Sequence, residues 1–190
     1  YTGSIRNFSM TPIGTAGSVA VIVKEFINGQ FSYSVILLNR TVDGSGKATY
    51  TSSISSKIYQ IKRDFKDLHV VEAEGNLVIA MRSSTKMIAT NFRLAYFTWN
   101  NGAFTLKSVA SGIAPTDKPI SAFSIVYLRN QKVAIIGGSF GNPGLWFGTW
   151  NFYSSQSYLV ETTKQIIFSP TVSAKYAFDH ISCCGLDVLK

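Results

Sequence analysis

Few residues of this chain have the types and spacings that do chemistry. The two histidines, His69 and His180, sit at similar points of two apolar stretches, and Asp179 lies beside His180. Neighbours along a strand point to opposite faces, so Asp179 and His180 do not make one acid–base site and both histidines read as structural. Glu72 and Glu74, two apart and hence on one face, come nearest to the paired carboxylates of glycoside chemistry. Asp179 and Asp187 are the other candidates, and a solvated turn is the simpler reading of the glutamates. The only cysteines, Cys183 and Cys184, are adjacent. Zinc wants spaced ligands, usually four, so the pair is read as disulfide candidates, with free thiols, a vicinal disulfide and bonds to another chain all open. No Ser-His-Asp signature, Gly-x-Ser-x-Gly elbow or His-Glu-x-x-His motif occurs. Gly44-Ser-Gly-Lys47 lacks the earlier glycine of a phosphate loop. Catalysis is therefore disfavoured, and neither a cofactor nor a metal is expected.

Binding chemistry is better represented. Trp99, Trp146, Trp150, Tyr96, Tyr153 and Tyr158 crowd a few short segments. Core packing accounts for most of them, but Tyr153 and Trp146 stand near turns, where aromatic rings stack on sugars or anchor a protein partner. The stretch Gly137-Gly-Ser-Phe-Gly-Asn-Pro-Gly144 has the most permissive backbone in the chain. It is read as a contact loop, with Gly138, Phe140 and Asn142 as candidates beside Tyr153 and Trp146. Asn7-Phe-Ser9 and Asn39-Arg-Thr41 are N-glycosylation triplets, which makes Asn7 and Asn39 candidate acceptors.

The elements that must hold these residues repeat. Leu94-Ala-Tyr-Phe-Thr-Trp-Asn100 returns as Leu145-Trp-Phe-Gly-Thr-Trp-Asn151, with Leu, Thr, Trp and Asn matched in place. Around each copy lie short runs that alternate in polarity or are apolar throughout, punctuated by Gly, Asn, Ser and Pro. Runs such as Ser18-Val-Ala-Val-Ile-Val23, Asn76-Leu-Val-Ile-Ala-Met81 and Lys132-Val-Ala-Ile-Ile136 are apolar on both faces, as a strand between two neighbouring sheets must be. Helical spacing is nearly absent, and the single helical turn expected falls within Tyr59 to Asp67. First strands recur with a period of 54 residues from Leu68 to Ala122 and from Ala122 to Tyr176. The spacing predicts four-stranded units at about 4–54, 66–110 and 121–163, and a partial unit at 175–190.

Such a period of antiparallel strands predicts an all-β, propeller-like array of about three and a half blades. A β-sandwich is the alternative. Propellers close with roughly four to eight blades. Open blade faces are thus expected to be covered by another protein chain or by blades outside the sequence. Two likenesses point the same way. Gly137-Gly138 closing an apolar strand, with Trp150 downstream, resembles the double-glycine and tryptophan pattern of kelch repeats, in one unit of three. Thr41-x-Asp43, followed by Gly44, Gly46 and Thr49-Tyr50, resembles the Asp-box turn of sialidase-like propellers, which lies between the third and fourth strands of a blade. Both likenesses imply the propeller superfamily and no specific family within it.

The 190 residues fit one domain, 46% hydrophobic and only 15% charged, against a typical ~25% charged. That scarcity of charge argues for a partner-covered surface. The net charge of +8 comes from 18 Lys and Arg against 10 Asp and Glu, without a concentrated basic patch. Nucleic acid is accordingly not expected as a partner, whereas acidic glycans or anionic envelopes would be attracted. No run approaches the ~20 apolar residues of a membrane helix, so no transmembrane segment is expected. The first residue is Tyr1 rather than Met, which is read as a removed leader or an excised piece. With the glycosylation triplets, this predicts an extracellular, cell-surface or virion-surface location. The expected function is adhesion, receptor or glycan recognition, or the building of an oligomeric assembly. The alternative is a share of a propeller glycosidase or sialidase-like enzyme.

Overall fold

The computed structural model describes residues 4–14, 16–61, 65–83, 92–100, 103–112, 120–139, 142–152 and 159–168. They form three four-stranded antiparallel sheets in which every strand pairs with its neighbour in sequence. The first sheet is β1 (Ser4–Ile13), β2 (Ser18–Ile27), β3 (Gln30–Val42) and β4 (Ala48–Ile61). The second is β5 (Phe65–Ala73), β6 (Asn76–Ser83), β7 (Phe92–Asn100) and β8 (Ala103–Gly112). The third is β9 (Ile120–Leu128), β10 (Lys132–Ser139), β11 (Asn142–Phe152) and β12 (Leu159–Phe168). Among the described residues no helix is long and apolar enough to cross a membrane.

Tight hairpins set the order. Asn28–Gly29, Glu74–Gly75 and Asn130–Gln131 each place two successive residues at positive φ. That pairing matches the twist of the flanking strands. Asn and Gly suit the left-handed region, and Glu74 and Gln131 occupy it against their own preference.

Alternation along the strands then builds two cores. On the middle sheet Leu77, Ile79 and Met81 of β6, with Ala95 and Phe97 of β7, pack against Ala20, Ile22, Tyr33 and Val35 of the first sheet. Val78, Ala80, Leu94 and Tyr96 face the other way and pack against Phe123, Ile125, Val133, Ile135 and Trp150 of the third. The middle sheet is thus apolar on both faces, and the described sheets make three layers where a sandwich has two. Like strands lie beside like: β1 by β5 and β5 by β9, with β8 touching both β4 and β12. The contacts between first strands are the more extensive. The two copies of the Leu-x-x-x-Thr-Trp-Asn motif occupy third strands, β7 and β11, of adjacent sheets.

Hydroxyls seal the seam between the first two sheets. The Ser9 and Thr11 hydroxyl oxygens on β1 accept the backbone N–H groups of Val70 and Glu72, each at 3.2 Å. These donors belong to β5, an edge strand of its sheet, and would otherwise lack a ladder partner.

Two local expectations are corrected. Tyr59 to Asp67 holds no helical turn among its described residues: β4 extends through Ile61 and β5 begins at Phe65. Ile54 and Ile61, set among serines and Lys57, pair with Ile36 and Phe31 of β3, and Ile58 falls at a shift in register between Tyr59 and Lys57. The glycine-rich stretch 137–144 is mostly strand rather than loop. Gly137 and Gly138 pair on both sides, with β9 and with β11, and Asn142 already pairs with Ser139. Backbone hydrogen bonds on two flanks outweigh the freedom glycine loses in a strand.

Candidate ligand-binding cleft

The first sheet carries a cationic and aromatic cleft beyond the packed end of its core. Asn28–Gly29 closes β2 onto β3 and brings Phe26 opposite Phe31, while Lys24 stands opposite Tyr33. All four side chains continue the face of Ile22 that turns to the second sheet. The Phe26 and Phe31 rings meet at 4.9 Å with an interplanar angle of 49°, and the Lys24 ammonium sits 4.7 Å above the Phe31 ring. On β1 the ladder breaks between Ile5 and Asn7: Ile5 pairs with Glu25, Asn7 with Lys24, and Arg6 is the extra residue. A bulge of this kind re-aims the side chain it frees. Arg6 joins Lys24, Phe26 and Phe31 around an open cleft of about 310 Å³. Lys24 is buried at its floor, Arg6 is exposed at its mouth, and no carboxylate among the described residues lines it.

A second polar cluster lies at the opposite end of the stack, where the β5–β6 turn meets β9. Tyr127 donates its hydroxyl to Glu74 Oε1 at 2.6 Å. Glu72 Oε1 accepts the Gly75 N–H at 2.5 Å, and Asn76 Nδ2 donates to the Glu74 carbonyl at 3.1 Å. Burial, with the Glu74 hydrogen bond and the charges of Glu74 and Glu72, pushes the Tyr127 phenol up to about 12. Burial and the Glu74 charge also raise Tyr96. The two glutamates therefore hold a turn and a tyrosine. Among the described residues neither is presented with a second carboxylate across a substrate-sized gap, the arrangement glycoside hydrolysis requires.

The residues singled out from sequence are scattered. Gly138 is buried within β10. Trp146 and Asn142 belong to β11, opposite Gly137 and Ser139. Phe140, Tyr153, Tyr158, Cys183, Cys184, His180, Asp179 and Asp187 lie outside the described residues, as does the partial unit 175–190. Asn7 is half-buried on β1 opposite Lys24, and Asn39 is half-buried on β3 opposite Thr51. His69 meets the Phe123 ring edge-on at 4.8 Å, between the second and third sheets. Among the described residues no group of three or more His, Cys, Asp or Glu converges on a metal-sized site. A cavity between the first two sheets, lined by Ile22, Tyr33, Ile79 and Phe97 among others, holds only about 10 Å³, room for about one water and no ligand.

The cleft itself was invisible in the one-dimensional reading. Its one legible signal is Asn28-Gly29 flanked by Phe26 and Phe31, a hairpin that places two aromatic rings side by side. No protein-family model matches the chain, and no curated protein matches it.

Proposed function

We propose that the chain is a run of propeller blades whose work is binding and assembly on the outside of a cell or particle. One observation carries this reading. On the face each first strand turns to the preceding sheet, Leu68 and Val70 of β5 are 5% and 8% exposed, and Phe123 and Ile125 of β9 are 2% and 6%. The corresponding residues of β1, Phe8 and Met10, are 60% and 65% exposed, with Ile5 beside them at 60%. What is covered twice is open the third time. A patch of this kind marks an interaction surface, and the sheet-on-sheet contacts of β5 and β9 indicate its occupant: a further sheet of the same architecture, supplied for the isolated chain by a second copy.

The Asp43 turn gives secondary support. It joins a third strand to a fourth, β3 to β4, where the Asp-box of sialidase-like propellers lies. Its carboxylate accepts the Ser45 and Lys47 N–H groups at 2.9 and 3.0 Å.

Light scattering on the purified chain tests the proposal. Concentration-dependent association above the 20.8 kDa of one chain is expected, and Phe8→Ser with Met10→Ser shifts it toward that mass. A species that stays at 20.8 kDa at every concentration sinks the reading.

A further inference from the structure

We infer that the outer edge of β4, from Ala48 to Ser53, is a pairing site for the same edge of a second copy, joined antiparallel across a two-fold axis. β1 and β4 are opposite margins of the first sheet, so this holds whether or not the Phe8 and Met10 patch is an assembly surface.

The hairpin of β3 and β4 outruns the rest of its sheet. β2 accompanies β3 as far as Leu38, opposite Val19, whereas Asn39 to Val42 pair with Thr51 to Ala48 of β4 alone. One flank of this two-stranded ribbon is finished. The Arg40 N–H donates to the Ser18 hydroxyl at 3.2 Å, and the Arg40 guanidinium donates to the Ala16 carbonyl at 3.3 Å. The other flank is bare. Among the described residues no strand pairs with β4 on its outer side. Ala48, Thr49, Tyr50, Thr51, Ser52 and Ser53 are each exposed.

The Arg40 bond also tells which groups face outward. Because the Arg40 N–H points to β2, Arg40 and Tyr50 are a non-hydrogen-bonded pair of the β3–β4 ladder. The Asp43 N–H, donating to the Lys47 carbonyl at 3.1 Å, sets the same phase. Tyr50, with Ala48 before it and Ser52 after it, therefore turns its N–H and C=O to the open edge.

Long edges are blunted by lysine, proline or a bulge. β8 has two of these in one place: Lys107 is the extra residue between Leu106 and Ser108, which stand opposite Phe97 and Tyr96. β12 carries Glu161 and Lys164, and its ladder shifts register twice. β4 is the longest described strand, at 14 residues. Yet it has no charge, glycine or proline from Ala48 to Ser56, and no shift of register from Ala48 to Ser55.

Self-complementarity names the occupant. An identical edge reversed about Tyr50 sets Ala48 against Ser52 and Tyr50 against Tyr50, each pair exchanging both of its bonds. A two-fold interface matches one patch to itself in this way. Tyrosine then meets tyrosine, and Thr49 meets Thr51, cross-strand pairs of a stabilising kind. The uncharged stretch brings no like charges together, although each copy carries a net +8.

Amide exchange on the 190-residue chain at rising concentration tests this, with Phe8→Ser and Met10→Ser in place so that the β1 surface is blunted. The Tyr50 and Ser52 amides are expected to slow as concentration rises, while those of Thr49 and Thr51, bonded to β3, are slow throughout. Tyr50→Pro removes an outward N–H from each copy and leaves the β3 ladder whole. By light scattering it is expected to associate roughly tenfold more weakly than its parent, the scale of two lost hydrogen bonds. Tyr50→Lys sets two ammonium groups opposite each other. It weakens association in the same direction and remains informative even where proline unfolds the ribbon. Tyr50 and Ser52 amides that exchange at one rate at every concentration overturn the inference, as does Tyr50→Lys associating like its parent. Slowing that appears only when an unrelated extended peptide, Thr-Val-Thr-Val-Thr-Val, is added also overturns it, because the edge would then serve a foreign strand.

Discussion

The indole of Trp150 lies across the backbone of Gly148, two residues earlier on β11, in space that a side chain there would need. A Cβ at 148 would stand 2.8 Å from Trp150 Cζ3. The same two repeat positions on β7 are Phe97 and Trp99. There Phe97 fills the core, 1% exposed, and Trp99 is displaced outward to 43%, edge-on to Phe104 at 4.8 Å. One tryptophan is a core residue and the other a surface residue because of what stands two places before it.

Gly148→Ala is therefore expected to overpack the core between the second and third sheets. A loss of about 1–3 kcal/mol is expected from urea unfolding, with a red shift in tryptophan emission as Trp150 is pushed toward water. Adding Trp150→Leu should recover part of the loss, since the clash belongs to the pair. Equal stability of wild type and Gly148→Ala would contradict the contact.

Removing the hydroxyls that accept β5 edge donors should be felt at the seam. Thr11→Val leaves the Glu72 N–H without its side-chain acceptor, and Ser9→Ala does the same for Val70. Each is expected to cost about 1–3 kcal/mol, the penalty of an orphaned, part-buried donor. Amide exchange at Val70 and Glu72 should accelerate in these variants while Ile79 stays protected.

Tyr127 supplies a pH signature. Its phenol is raised from 10.0 to about 12 in the folded chain, so folding favours the neutral form. Whatever stability that preference contributes is complete below pH 10 and fades as pH climbs toward 12. Absorbance at 295 nm should show a phenol titrating late, and Tyr127→Phe should remove that component and flatten stability over the same interval.

Asp43 works in the opposite direction. The Ser45 hydroxyl, followed by the Lys47 and Ser45 backbone N–H groups, holds its carboxylate below the usual 3.8. The turn is braced above that pH and released as acid protonates Asp43 through its lowered folded-state value. Amide exchange at Ser45 and Lys47 should rise in Asp43→Ala at neutral pH, with neighbouring strand amides unchanged.

The sheet framework was legible because apolar alternation and turn chemistry are local. Val78, Ala80 and their neighbours announce a strand buried on both faces, and the repeated Leu and Trp place β7 and β11 at equivalent points. The difference between Trp99 and Trp150 was hidden, since it depends on volumes supplied by another layer. The cleft was hidden for a related reason. Arg6, Lys24, Phe26 and Phe31 come from three strands and become neighbours only through register and a bulge that no glycine or proline marks. β4 runs to Ile61, past the end of the unit expected at about residue 54, because serines and Lys57 interrupt the apolar pattern there.

β6 has no wet side: Leu77, Val78, Ile79, Ala80 and Met81 are all enclosed. Polarity therefore gives this strand no means of telling one side from the other, and a slip by one position would still bury grease against grease. Bulk has to act as the proofreader. Leucine, isoleucine and methionine point one way and the smaller valine and alanine the other, so an inverted strand would jam where the space is narrow and rattle where it is wide.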